Sequence, residues 1–206
     1  MQIGTLALQG NFELHQTTLN RLNIKSTLIR KPSQLEGCDG LIIPGGESTT
    51  LIKLLRNIEL IDPIRHFATH RPVFGTCAGS ILLATEIAND SIETLGLIEA
   101  TIERNAYGRQ IDSFIDTLQL NLNGKTHEFE GVFIRAPEIK SVGQDVKSLG
   151  VISGQSGDGS IVLAENDQIL IATFHPELTQ NDLVHRYFID KVRTKSENWR
   201  DREANK

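Results

Sequence analysis

Cysteine is scarce: Cys38 and Cys77 are the only two in a chain of 206 residues. Two thiols cannot build the disulfide framework that would hold a domain of this length, so the chain reads as a reduced, cytosolic protein held by a hydrophobic core. Long apolar runs are missing too. The longest, such as Leu41-Ile42-Ile43 and Ile169-Leu170-Ile171-Ala172, stop after a few residues, whereas a membrane-spanning helix needs about 20. No basic stretch precedes the strand-like start at Gln2, so no secretory leader is expected. A basic block is lacking as well: 21 Lys plus Arg against 26 Asp plus Glu give a net charge of −5, which argues against a nucleic-acid platform. What is present is 39% apolar and 23% charged residues, enough for a globular core. At about 100–200 residues per domain, the expectation is a single domain over 1–194 and a polar C-terminal tail over 195–206 that frays.

Short β-branched and aliphatic runs alternate with helical patterns through the first half. Strands are predicted at Ile3–Leu8, Ser26–Ile29, Gly40–Ile43 and Pro72–Gly75. Helical faces fall at Phe12–Leu22, Thr49–Leu55, Ile61–His70 and Ala78–Ala88. Such alternation buries a mostly parallel sheet between helices, because parallel neighbours need a crossover. From Leu97 the pattern changes to strand-like stretches at Leu97–Glu103, Thr117–Leu122, Glu128–Ile134, Val151–Ser153, Ile161–Ala164 and Ile169–Phe174, with Asn123-Gly124 as a turn. These read as antiparallel additions to the sheet, and a final helix is expected over Asp182–Val192.

Val73-Phe74-Gly75-Thr76-Cys77-Ala78-Gly79-Ser80 is the most informative segment. A strand meets a helix at Cys77 with glycine two residues before and two after, the thiol form of the G-x-S-x-G nucleophile elbow. The turn is sharp and the adjoining backbones pass close, so a Cβ at either glycine would clash. At a helix N-terminus the macrodipole and free N–H groups favour a thiolate. The Ala78 N–H is placed to donate to an oxyanion. The competing explanation is a structural cysteine in a tight turn.

A thiol nucleophile needs a base. His15, His66, His70 and His185 sit in helical patterns, where a surface or packed histidine is the ordinary explanation, and His127 lies in a charged strand. His175 ends an apolar strand and continues as Pro176-Glu177. In an extended backbone, residues i and i+2 share a face, and Pro176 would hold that backbone extended. Glu177 could then orient the imidazole while its other nitrogen faces Cys77.

Pro44-Gly45-Gly46-Glu47-Ser48-Thr49-Thr50 follows the third strand. Ser48 or Thr49 can cap the next helix. The lysine of a phosphate-binding loop is missing. Gly45 and Gly46 would let the backbone approach a substrate and present a second oxyanion donor.

With these segments, Leu6-Ala7-Leu8-Gln9-Gly10, Glu103-Arg104-Asn105-Ala106-Tyr107-Gly108-Arg109-Gln110, Phe133-Ile134-Arg135-Ala136-Pro137 and Phe174-His175-Pro176-Glu177-Leu178 occur in order along the chain. Together they resemble the glutaminase subunits of the two-protein pyridoxal 5′-phosphate synthase, a family of class I (triad) glutamine amidotransferases. The elbow and His-Pro-Glu alone would indicate only the broader class. The Gly-Gly-Glu-Ser-Thr-Thr, Glu-Arg-Asn and Ile-Arg-Ala-Pro segments narrow it.

The resemblance implies a flavodoxin-like α/β fold, an open and mostly parallel sheet flanked by helices, with antiparallel strands added in the second half. It implies Cys77 as nucleophile completed by His175 and Glu177, with Gly46 and Ala78 at the oxyanion hole. Gly46, Glu47, Ser48, Arg104, Ile134 and Arg135 would line an L-glutamine site. The two arginines suit a substrate carboxylate, which a guanidinium can grip two-pronged; otherwise they would be surface ion pairs. Asp112 and Asp116 are candidates to hold an arginine in place.

No metal or organic cofactor is expected, since no Cys/His cluster has ligand spacing. The implied partner is a (β/α)8-barrel synthase subunit in a hetero-oligomer. Ser80 departs from the bulkier apolar residue the family would lead one to expect. Ser153–Gly159 is a Gly-rich turn, longer than usual. A different thiol hydrolase on the same elbow and a non-catalytic scaffold are the rival readings.

Overall fold

The computed structural model describes residues 1–104, 106, 113–154 and 159–204, with side chains of the last helix described as far as Glu197. Its frame follows from apolar runs that bury both faces. In β3 (Gly40–Ile43), Leu41 and Ile43 pack on one side of the sheet and Ile42 on the other. In β12 (Ile169–Ala172), Ile169 and Ile171 face opposite to Leu170 and Ala172. A strand covered on both sides cannot alternate apolar with polar, which is why these segments read as continuous hydrophobic runs.

Five strands pair in parallel in the order β2 (Lys25–Ile29), β1 (Gln2–Leu6), β3, β4 (Val73–Thr76) and β12. The reversal of order at β1/β3 is the switch point of a flavodoxin-like sheet, outside which ligands bind at the strand carboxyl ends. Helices α1 (Phe12–Arg21) and α5 (Leu183–Ala204) cover one face through Leu19, Val184, Phe188 and Val192. Helices α2 (Ser48–Asn57), α3 (Ile61–Ala68) and α4 (Ala78–Leu83) cover the other.

Beyond β12 the sheet continues antiparallel through β11 (Ile161–Glu165), β10 (Lys147–Ile152), β7 (Ser113–Leu122) and β8 (Lys125–Ile134). Asn123 (φ 52°) and Gly124 (φ 74°) make the β7–β8 hairpin turn, and two consecutive positive φ values suit the strand twist there.

Two predicted elements end differently, and one strand was not predicted. The helix expected over Ala78–Ala88 stops at Leu83. Ala84–Ala88 is instead a strand, β5, parallel to β6 (Ile98–Glu103). Thr85 decides it: its hydroxyl bonds both the carbonyl and the N–H of Ala100, at 3.3 and 3.2 Å. A short apolar run satisfies both periods, and the β-branched Thr85 and Ile87 favour the strand. The β9 strand (Glu138–Val142), paired with β6, had no apolar pattern to reveal it. The last helix does not end at Val192 but continues to Ala204 through the expected polar tail.

The Gly-rich stretch connects β10 to β11, and its residues 155–158 lie outside the described residues, as do Asn105, residues 107–110 of the Glu-Arg-Asn segment, and Asp112. Among the described residues no helix is long and apolar enough to cross a membrane.

Candidate active site

The strand ends bring the singled-out residues to one crevice. A cavity of about 380 Å³ is lined by Gly46, Glu47, Ser48, Cys77, Ala78, Arg104, Ile134, Arg135 and His175, with Gln9, Gly10 and Asn11 from the β1–α1 turn. Every residue expected to touch a substrate lies on it. Glu177 sits behind His175. A larger groove beside the Pro32–Gln34 turn, about 860 Å³, holds none of these residues.

The elbow has the strain its sequence demands. Cys77 is a non-glycine residue at φ 48°, ψ −109°, a conformation that costs about 1–3 kcal/mol and persists only where its surroundings enforce it. They do so closely. A Cβ on Gly79 would stand 2.1 Å from the Ile43 carbonyl oxygen, and one on Gly75 would stand 2.6 Å from the Gly79 backbone. The Cys77 N–H donates to Ala172 O at 2.8 Å. Ser80 is fully buried and its hydroxyl donates to the Cys77 carbonyl at 2.6 Å. The small residue at that position therefore ties down the elbow itself.

His175 is buried, lines the cavity together with Cys77, and is hydrogen-bonded to Glu177. Its Nδ1 lies 2.7 Å from Glu177 Oε1, leaving Nε2 for the sulfur. The pair meets by a route other than the predicted extended one. His175 (φ −109°, ψ 84°) caps a 3₁₀ turn over Pro176–Leu178. Proline's fixed φ suits the first residue of a helical turn as well as a strand, so Pro176 starts the turn. The His175 N–H donates to Val132 O at 2.8 Å, fastening the turn to β8.

Electrostatically His175 and Glu177 favour their charged forms. Burial alone would lower the His175 imidazolium, but its bonds to Cys77 and Glu177 outweigh that and raise it well above the usual histidine range. Burial would raise the Glu177 carboxyl, yet the neighbouring histidines hold it below the ordinary carboxylate range.

Around this centre Glu47 caps α2, accepting from the Thr50 N–H at 3.1 Å and from the Thr49 hydroxyl. The cap is thus one residue earlier than Ser48 or Thr49, and the Ser48 hydroxyl is buried without a partner among the described residues. Arg104 donates to Glu47 Oε1 at 3.0 Å and to Asp90 Oδ2 at 2.7 Å. Those are its partners among the described residues; Asp112, a candidate to hold an arginine, lies outside them. Asp116 lies in β7 and accepts the Thr117 N–H at 2.7 Å. Arg135 is exposed and has φ 42°. Gln9 was not anticipated: its Oε1 accepts the Glu47 N–H at 3.1 Å and fixes the glycine turn. Only its place in the Leu-Ala-Leu-Gln-Gly segment hinted at it.

A strained thiol elbow at the carboxyl rim of a parallel sheet, with an imidazole and a carboxylate beside it, is the architecture of the class I amidotransferases. A solved structure of a glutamine amidotransferase superposes with a TM-score of 0.84 at 42% identity, covering 92% of this chain and 98% of that one. The solved structure of PurLQS from Thermotoga maritima, 14% identical with a TM-score of 0.66 over 96% of this chain and 97% of its own, shares the fold. The family model of the SNO glutamine amidotransferases matches residues 5–194, and the chain belongs to that family. It is similar to the pyridoxal 5′-phosphate synthase subunit PdxT of Carboxydothermus hydrogenoformans, 47% identical over 93% of this chain and 98% of the relative. The PdxT of Thermosipho africanus is 41% identical over 94% of this chain and 100% of its own.

Proposed function

We propose that the chain hydrolyses L-glutamine to L-glutamate and ammonia, with Cys77 as nucleophile, His175 as acid and base, and Glu177 orienting the ring. The Cys77 thiolate attacks the side-chain amide carbon. The resulting oxyanion is met by backbone N–H donors at Gly46 and Ala78. His175, loaded with a proton by its two anionic neighbours, protonates the departing ammonia. It then draws a proton from water as water cleaves the glutamyl thioester, releasing glutamate and restoring the thiolate–imidazolium pair. Arg104 and Arg135 with Glu47 and Ser48 hold the amino-acid end of the substrate, and Ile134 closes the cavity wall. The observation that carries this reading is the strained Cys77 elbow sharing one cavity with His175, whose Nδ1 bonds Glu177 at 2.7 Å.

The named relatives are subunits of pyridoxal 5′-phosphate synthase. On that likeness the ammonia passes to a (β/α)8-barrel synthase subunit in a cytoplasmic hetero-oligomer. Ammonia release from glutamine, measured for the full chain with and without a barrel subunit, tests it. Cys77→Ala should abolish release and leave folding intact. Cleavage of peptides with no action on glutamine would overturn the reading, and so would an unchanged rate in Cys77→Ala.

A further inference from the structure

Behind the triad lies a second pair of histidines that the mechanism above does not use. His15 from α1 and His185 from α5 are both wholly buried, although 170 positions separate them in the chain. Their rings join through His15 Nδ1 and His185 Nε2 at 3.0 Å. The other nitrogen of His15, Nε2, stands 3.2 Å from the Thr76 hydroxyl oxygen and 3.5 Å from Glu177 Oε2. That oxygen is the one His175 leaves, since His175 takes Oε1. Thr76 Oγ1 also accepts the Gly45 N–H at 3.1 Å. Among the described residues no group of histidine, cysteine and acidic side chains is placed to hold a metal ion.

The proton count selects one arrangement. Burial disfavours the charged form of both rings, so each carries a single N–H and only one hydrogen lies between them. A proton on His15 Nδ1 would turn the bare Nε2 towards Glu177 Oε2, two acceptors facing each other in a buried site. With the proton on Nε2, His15 donates towards Thr76 Oγ1 and Glu177 Oε2, and its Nδ1 accepts from His185 Nε2–H. His185 Nδ1 has no partner among the described residues in either arrangement. Glu177 Oε2 has no full hydrogen bond among the described residues, and only the second arrangement turns an N–H towards it, at 3.5 Å. A stranded buried donor or acceptor is costly, so this difference decides the tautomer.

We infer that His15, its tautomer set by His185, is a positioning residue that holds the Glu177 carboxylate against His175 and, through Thr76, steadies the Gly45 turn. The inference rests on the proposed role of Glu177. Without the His15 N–H the carboxylate is free to turn away from His175 Nδ1, and the ring that serves Cys77 loses its fixed orientation. Substrate binding, which involves other residues, would be little affected.

The test is glutamine hydrolysis by the full chain, with and without a barrel subunit, for His15→Leu, His15→Gln and His15→Asn. Glutamine offers an N–H near the position of Nε2, whereas asparagine reaches only as far as Nδ1. A hydrogen bond to a charged group is strong enough that His15→Leu should lower kcat about tenfold to a hundredfold with KM within about twofold. His15→Gln should recover most of kcat, and His15→Asn should not. If His15→Leu does not fold, the Gln and Asn variants carry the comparison. Equal kcat for those two, or wild-type kcat in every variant, would overturn the inference while leaving the glutaminase reading in place. A wild-type chain that releases no ammonia from glutamine would overturn both.

Discussion

His185 gives a stability measurement that depends on one proton. It is wholly buried, and burial pushes its imidazolium down to about 3, reinforced by His15 and Arg21 and opposed by Glu177 and Asp182. The unfolded chain frees it to take a proton near pH 6.5. Between pH 7 and pH 5 the unfolded state therefore gains a proton at this site and the folded state does not, so stability falls as the solution is acidified. At about 1.36 kcal/mol per pH unit below an unfolded value of about 6.5, the loss over that interval is about 2 kcal/mol for His185 alone. It does not depend on the folded value so long as that stays below about 4. His15, also lowered by burial, acts in the same direction. His175 acts oppositely: its raised value keeps it protonated in the folded state, so its contribution grows over the same span. The His185→Leu variant isolates the term. Urea unfolding at pH 7 and pH 5 should show wild type losing about 2 kcal/mol more than the variant, whatever their relative stabilities at pH 7. Equal losses would mean that His185 is protonated inside the folded protein, and the tautomer argument for His15 would fall with it.

Three further outcomes are expected. Gly79→Ala forces a Cβ to within 2.1 Å of the Ile43 carbonyl and should cost about 3 kcal/mol or more, lowering the melting temperature by about 6–12 °C; Gly37→Ala, whose Cβ meets nothing within 4 Å, should melt like wild type. In steady-state assays His175→Asn should stop glutamine turnover and Glu177→Gln should slow it less; equal, mild effects from both would make His175 merely structural. Arg104→Lys keeps the charge but loses the two-pronged grip, and should raise KM for glutamine several-fold with a smaller change in kcat, whereas an unchanged KM would place the substrate carboxylate elsewhere.

What the chain discloses in advance is local. Gly75-Thr76-Cys77-Ala78-Gly79 announces the elbow because its two glycines answer a steric demand within five residues. Leu41–Ile43 and Ile169–Ala172 announce buried parallel strands because both faces need apolar cover. Segments governed by distant partners are silent. Ala84–Ala88 looks helical until Ala100 arrives to bond Thr85. Asp90 becomes a partner of Arg104 only once the loop after β5 approaches the end of β6. His15 did leave a trace, a polar side chain on the same helical face as Leu19, but that pattern fits a packed histidine of any kind. Nothing near position 15 announces position 185.

The arrangement also explains why the acid of the triad is sunk so deeply. Cys77 lines the cavity on a backbone that stores strain, and His175 must reach it from the start of a short 3₁₀ turn. Such a turn would leave the ring free to rotate if only a solvated carboxylate held it. Glu177 is instead almost wholly buried, its one oxygen on His175 and its other facing His15, and His15 is braced in turn by the start of α5. The same histidine touches Thr76, the residue before the nucleophile, whose hydroxyl holds the Gly45 N–H. Elbow, glycine turn and acid are thus joined through one buried ring, so the groups that must act together are fixed relative to each other rather than separately to the sheet.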